Sequence, residues 1–304
     1  MTSALKGKVA VVSGATRGCG RSIAVELGAL GATVFAAGRS TRDRRSEMNR
    51  PETIEETAEL VSAAGGTGIA VFCDFLDQKS VTALRERIVA ETGGQLDVLI
   101  DDVWGGDPFI DWDKPFWEQD VERALGAWRN GLETHLRALH ALLPLLTDKP
   151  GGLVVEVTDG EADSNSGSLV YDQVKTGVRR LALGLSAQMP EYGCTALAAT
   201  PGFLRSEAML DHFKVTEENW RDGVAKDPHF VLSETPHLLG RGIAALAADD
   251  DRARWNGRIV TSHTLADAYQ IDDLDGSRPD WSRWLKEVVF GGLDPAQVDP
   301  AEYR

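Results

Sequence analysis

Seven short apolar runs, alternating with helical patterns, constrain this chain more than any other feature. The runs are 9–13, 33–37, 69–73, 98–100, 153–157, 195–199 and, later, 258–261. They are rich in valine and isoleucine and largely apolar on both faces, as expected of strands buried in a parallel sheet. Helical patterns occupy 20–30, 51–64, 80–91, 116–146 (one helix or two), 171–189 and 238–248. Pro51 suits a first helical position, with Glu52, Glu55 and Glu56 near the positive helix end. Parallel neighbours need long right-handed crossovers, so the alternation predicts an α/β fold, a doubly wound parallel sheet between two helical layers.

No internal repeat or low-complexity linker divides the 304 residues, and a single domain over 1–304 is expected. Two stretches look like additions beside strand ends, where substrate pockets form. One is 105–117, rich in aromatics and prolines. The other, 203–236, follows a Pro-Gly pair and is expected to act as a substrate lid. The tail, 272–304, carries Trp281, Trp284 and Phe290, and is expected to fold back over the domain or cover a partner subunit.

A net charge of −15 argues against nucleic-acid binding. No apolar run approaches the roughly 18 residues a membrane span needs. The first residues lack an apolar signal-peptide core, and the three cysteines, Cys19, Cys73 and Cys194, show no metal-ligand spacing. A reduced, cytoplasmic protein without a metal is expected.

Two local patterns carry chemistry. The first apolar run leads into Ser13-Gly14-Ala15-Thr16-Arg17-Gly18-Cys19-Gly20. Glycines between a strand and a helix let backbone N–H groups approach a pyrophosphate at the positive helix end, although G-x-x-x-G-x-G is not the commonest dinucleotide spacing. The second run ends at Arg39, where an acidic residue would bind a ribose 2′-hydroxyl. Arginine there favours a 2′-phosphate, with Arg17 as a second cation, so NADP(H) is expected. Arg42, Arg44, Arg45 and Arg50 follow in an otherwise acidic chain. Asp74, ending the third run, could accept from an adenine amino group or simply start a turn. The second pattern is Tyr171 with Lys175 one helical turn on, a proton donor with a cation beneath it.

The glycine turn, Asp74, Tyr171–Lys175 and Pro201-Gly202 together resemble the short-chain dehydrogenase/reductase family, from about Lys6 to Val260. The resemblance implies a Rossmann-type domain with Tyr171 as general acid or base and Lys175 lowering its pKa and holding the nicotinamide ribose. It implies cofactor contacts from Ser13, Gly14, Arg17, Gly18, Cys19, Gly20, Arg39, Asp74, Phe75, Val103, Tyr171, Lys175, Pro201, Gly202 and Ser206. Relatives usually pair through the helices at 116–146 and 171–189, so a homodimer or homotetramer is expected.

Departures from the family pattern fall at the reacting end. The serine that steadies the substrate carbonyl lies about thirteen residues before the tyrosine. Here that position is Thr158, which is favoured, or Asp159 by a shift of one. The N-N-A-G segment reads Asp101-Asp102-Val103-Trp104. One aspartate is expected to replace the asparagine's hydrogen bonds and the other to be solvated. The relay asparagine matches Asn130, with Gly131 competing, and His135 is expected to pack. Trp104, Phe109, Trp112, Phe116, Trp117 and Trp128 suggest a bulky apolar substrate wall. Substrate contacts are expected from Trp104, Thr158, Asp159 and Phe203. The expected reaction is NADP(H)-dependent interconversion of a carbonyl and an alcohol. The alternatives are a non-redox step on the same fold (dehydration, epimerisation or cyclisation) or an NADPH-binding regulatory protein.

Overall fold

The computed structural model describes residues 3–46, 48–161 and 166–304. Its centre is one sheet of strands β1 (Val9–Ser13), β2 (Thr33–Gly38), β3 (Thr67–Phe72), β4 (Val98–Asp101), β5 (Leu153–Val157), β6 (Thr195–Thr200) and β7 (Ile259–Thr261). The order is β3-β2-β1-β4-β5-β6-β7, and every pairing is parallel. The chain winds outward one way from β1 and then restarts beside it at β4. A crevice therefore opens between the carboxyl ends of β1 and β4, the usual place for a ligand in such a sheet.

Helices α1 (Gly18–Ala29), α2 (Ile54–Ala63), α3 (Gln78–Thr92), α4 (Val121–Trp128), α5 (Thr134–Leu146), α6 (Leu169–Ser186), α7 (Glu207–Phe213), α8 (Pro236–Ala248) and α9 (Ser262–Tyr269) follow in chain order. Alternate strand residues face opposite layers, as the two-residue period requires. Ala10, Val12, Ile100 and Leu197 pack with Ile23, Leu27, Ile243 and Leu265. Val9, Val11, Leu99 and Ala196 pack with Val81, Leu84, Ile88 and Leu142 on the other face. No helix among the described residues is long and apolar enough to cross a membrane.

Several boundaries differ from expectation for identifiable reasons. Pro51 does not begin α2; Thr53 caps it by accepting from the Glu56 N–H, which places the start at Ile54. Glu52 is drawn instead into an ion pair with Arg50 at 2.6 Å. The long central pattern divides into α4, capped by Asp120, a π-helical turn over Arg129–Glu133, and α5. Ser168 caps α6 two residues ahead of the expected start.

The tail folds back on the 203–236 segment of its own chain. Trp284, Val288 and Tyr303 bury Leu232, and Arg304 donates to the carbonyl of Val231. Arg205 is buried within this joint, 2.9 Å from Glu217, with its guanidinium over the Trp220 ring.

At the end of β4, Asp101 lies beside Glu156 of β5 in register, and His135 of α5 reaches both. Its Nδ1 is 2.7 Å from Glu156 and its Nε2 donates to the Val103 carbonyl at 3.0 Å. Asp101 is therefore fully buried, where solvation of one aspartate was expected, and both its oxygens lack a hydrogen-bond partner. Burial pushes Asp101 up to about 7 and Glu234 up to about 8. Burial alone would lower His135, but Asp101 and Glu156 outweigh it and raise the imidazole to about 9.

All three folded-state values lie above the unfolded ones, so the native protein holds protons that the unfolded chain releases. That stability is fully present below about pH 4 for the acids and about pH 6.5 for the histidine, and is lost as pH rises to about 7 to 9. Glu52, held low by Arg50 against burial, acts oppositely at the acid end. Thermal unfolding midpoints are expected to fall steadily from about pH 5 to about pH 9. The Glu234→Gln variant should flatten the part below pH 8; a pH-independent wild-type midpoint would contradict this account.

Candidate active site

A cavity of about 590 Å³ fills the crevice above β1, β2, β4, β5 and β6. One end is built by the glycine turn. Gly14 has φ of +80°, and a Cβ there would lie 2.4 Å from the Asp102 carbonyl oxygen. Gly20 is packed under the same turn, where a Cβ would meet the Gly14 carbonyl oxygen at 2.5 Å. Gly20 and Ser13 were expected to touch a cofactor but do not line the cavity. Ser13 is fully buried in the strand, and Gly20 is closely packed beneath the turn. Cys19 lines the cavity, and burial pushes its thiol well above the ordinary range, which disfavours the thiolate.

The cradle already holds an anion. The Gly18 N–H, at the start of α1, donates to the Glu207 carboxylate at 2.9 Å. A side chain from α7 thus stands where a phosphate would sit at a helix N-terminus, and the turn passes a direct test of fit for a pyrophosphate. Asp102 accepts from the Gly20 backbone N–H, and burial pushes it up to about 7.

At the end of β2 the arginine cluster divides. Arg42 pairs with Glu59, and Arg50 with Glu52 and Asp211. Arg17, Arg39, Arg44 and Arg45 line the cavity. Asp74 and Phe75 line it from the end of β3, with Asp74 also accepting from the Leu76 N–H at 3.0 Å to start a turn. Val103 lines it from β4.

The reacting end is set by α6. Tyr171 and Lys175 face the cavity together. Lys175 Nζ lies 4.0 Å from the centre of the Trp104 ring, and burial lowers its pKa against the pull of Asp159 and Asp102. Trp104 also meets Tyr171 edge-on at 5.6 Å and donates its indole N–H to Asp107 at 2.7 Å. Trp112 packs on the other side of Tyr171 at 5.3 Å. Of the other expected aromatics, Phe109 joins Trp104 and Tyr171 in one packed cluster. Phe109 packs among Ile110, Ala124 and Val170, and Phe116 and Trp117 face solvent.

The two candidates for the serine position make different contacts. Thr158 lines the cavity but commits its hydroxyl to the Lys175 carbonyl at 2.8 Å. Asp159 accepts the Tyr171 hydroxyl at 2.6 Å. Both residues lie just past β5 and line the cavity, and Asp159 is the one that meets the tyrosine hydroxyl. Burial, and after it the Asp159 charge, raise Tyr171 well above the phenol range.

Asn130 lines the cavity from the π-helical turn, donating its amide to the Gly126 carbonyl at 2.9 Å. At the competing position, Gly131, a Cβ would lie 2.6 Å from Val174 and 2.7 Å from Trp104. Pro201, Gly202, Phe203 and Ser206 line the remaining side, with Ser206 capping α7. Sequence reasoning missed Glu207, Glu234 and Trp281. A Cβ on Gly202 would meet Glu234 at 2.6 Å and Trp281 at 2.8 Å. Only the fold brings these residues back from the insert and the tail.

Glu207→Gln keeps the shape of the cradle and removes the resident charge. Charge at a helix N-terminus is worth ~0.3–1 kcal/mol, so dinucleotide binding measured by fluorescence titration should tighten about two- to fivefold. Weaker binding in this variant would mean that Glu207 supports the cradle rather than occupying it.

The short chain dehydrogenase family model matches residues 8–216. Dehydrogenase/reductase SDR family member 1 of Mus musculus is 30% identical over 280 residues, covering 91% of this chain and 86% of that protein. The 7alpha-hydroxysteroid dehydrogenase of Clostridium sardiniense is 24% identical over 247 residues, covering 81% and 88%. Among solved structures, a short chain dehydrogenase from Mycobacterium thermoresistibile superposes with a TM-score of 0.73 at 18% identity, covering 89% of this chain and 90% of that one. A parallel doubly wound sheet, a glycine turn and a tyrosine–lysine pair on one cavity agree with these likenesses: the chain belongs to the short-chain dehydrogenase/reductase family of nicotinamide-dependent oxidoreductases.

Proposed function

We propose that the protein is an NADP(H)-dependent oxidoreductase that interconverts a carbonyl and an alcohol on a bulky, apolar, ring-bearing compound. One observation carries the reading. Tyr171 and Lys175 open onto the same cavity as the glycine cradle and four arginines. When bound, the reduced nicotinamide would supply the hydride.

The chain's own residues supply the rest. The Gly14–Gly18 turn and the start of α1 would hold the pyrophosphate. Arg39, helped by Arg17, Arg44 and Arg45, would hold a 2′-phosphate. Asp74 and Phe75 would flank the adenine, and Val103, Pro201, Gly202 and Ser206 the nicotinamide side. Lys175 would bind the ribose. Tyr171 holds a proton on Oη for the carbonyl oxygen. Thr158 fixes the Lys175 backbone, and Asn130 stiffens the π-helical turn. Trp104, Phe203 and Asp159 would meet the substrate, under the 203–236 segment acting as a lid. Exposed Val121, Leu125, Leu136 and Leu183 on α4, α5 and α6 support pairing into a homodimer or homotetramer.

Tyr171→Phe is expected to lower the rate of ring-ketone reduction by roughly two to four orders of magnitude; unchanged turnover would remove Tyr171 from the chemistry. In Arg39→Ala, NADPH binding should weaken about 10- to 100-fold, the worth of hydrogen bonds to a charged group, and NADH binding should stay the same. Equal loss for both cofactors would remove the 2′-phosphate assignment. Conversion of substrate without NADPH consumption would select the non-redox alternative.

A further inference from the structure

We propose a further activity at this site, resting on the hydride-transfer reading above: reduction of cyclic iminium cations, favoured by Asp159 over neutral ketones of the same shape. The argument starts from what stands beside the proton donor. A reacting carbonyl oxygen gains negative charge and needs hydrogen-bond donors. Here the second group at that point is the solvent-exposed Asp159, which accepts the Tyr171 hydroxyl at 2.6 Å. It offers no proton, and its charge opposes an oxyanion.

For a C=N group the same carboxylate works in the opposite sense. Protonation of nitrogen makes the neighbouring carbon electrophilic, and an adjacent negative charge favours the protonated form. The surroundings suit a cation. Trp104 meets Tyr171 edge-on at 5.6 Å with Lys175 on its ring, and Trp112, tilted at 5.3 Å from Tyr171, leaves an exposed indole beside the tyrosine. Asp107, tied to the Trp104 indole N–H, adds a second negative charge at this end. Lys175, the cation already at this end, lies 4.0 Å from the Trp104 ring centre and 5.5 Å from that of Tyr171, one positive charge against the two carboxylates. The raised pKa of Tyr171 also makes it a reluctant proton donor, which matters for a ketone and not for an iminium.

The electrons balance without a proton from the enzyme in the hydride step. A hydride from a reduced nicotinamide forms the new C–H bond, and the C=N π pair becomes the nitrogen lone pair. The nicotinamide leaves oxidised, and the neutral amine then takes a proton from solvent.

The test compares 1-methyl-3,4-dihydroisoquinoline with 1-tetralone, each with NADPH, in wild type, Asp159→Ser and Tyr171→Phe. A parallel calorimetric titration, run without nicotinamide, uses the cation 1-methyl-1,2,3,4-tetrahydroisoquinolinium, which is inert when no hydride acceptor is present, with wild type and Asp159→Asn. Wild type should reduce the imine with a kcat/KM about tenfold or more above that for the ketone, and Asp159→Ser should reverse the order. Tyr171→Phe should cost the imine less than the ketone. Binding of the inert cation should weaken about tenfold in Asp159→Asn. NADPH consumption with tetralone but not with the imine, or cation binding indifferent to Asp159, overturns the iminium activity and leaves the carbonyl reading standing. Consumption with neither substrate overturns both.

Discussion

Everything at the cavity depends on one close approach, that of the β1–α1 turn to the backbone leaving β4. Gly14 lies so near the Asp102 carbonyl that no side chain could stand between them. Because the turn can press against β4, α1 begins directly over the crevice and aims its N–H groups into it. The sheet order puts β4 there, and the absent Cβ lets the two backbones meet. Asp102 then fastens the arrangement through the Gly20 N–H. A larger residue at position 14 would displace the cradle and the segment carrying Trp104 together.

The fold was readable because a parallel sheet leaves a local signature. Buried strands are apolar on both faces, and β1 and β5 fall on the expected residues. The start of α2 was less readable. Pro51 and Thr53 are both acceptable helix openers, and a side-chain hydrogen bond decides between them. At the site, local patterns showed Tyr171, Lys175, the glycine turn and the arginine-rich end of β2, each within a few residues of sequence. They did not show Glu207 on the cradle, 189 residues from Gly18, or Glu234 beneath Gly202. Contacts of that kind have no period and no spacing to read.

The alignment of Thr158 and Asp159 illustrates a different limit. Counting from the tyrosine assumes that the intervening loop keeps a fixed length, and here two adjacent residues past β5 both line the cavity. Their hydrogen bonds distinguish them: the hydroxyl goes to the Lys175 carbonyl and the carboxylate takes the Tyr171 hydroxyl. The consequence is chemical rather than architectural. The same backbone can present a donor or an acceptor to the tyrosine hydroxyl, and this chain presents the acceptor.

Glu207 belongs to the short helix α7, whose neighbouring residues Ser206 and Met209 form part of the cavity wall. A carboxylate and a phosphate cannot share the positive end of one helix. Arrival of a phosphate must therefore release the carboxylate, and with it the tether between α7 and the glycine turn. The looser contact of Glu207 with Arg21, at 4.0 Å, would then still join α7 to α1, so the occupancy of the cradle and the position of this part of the cavity wall are linked through one side chain.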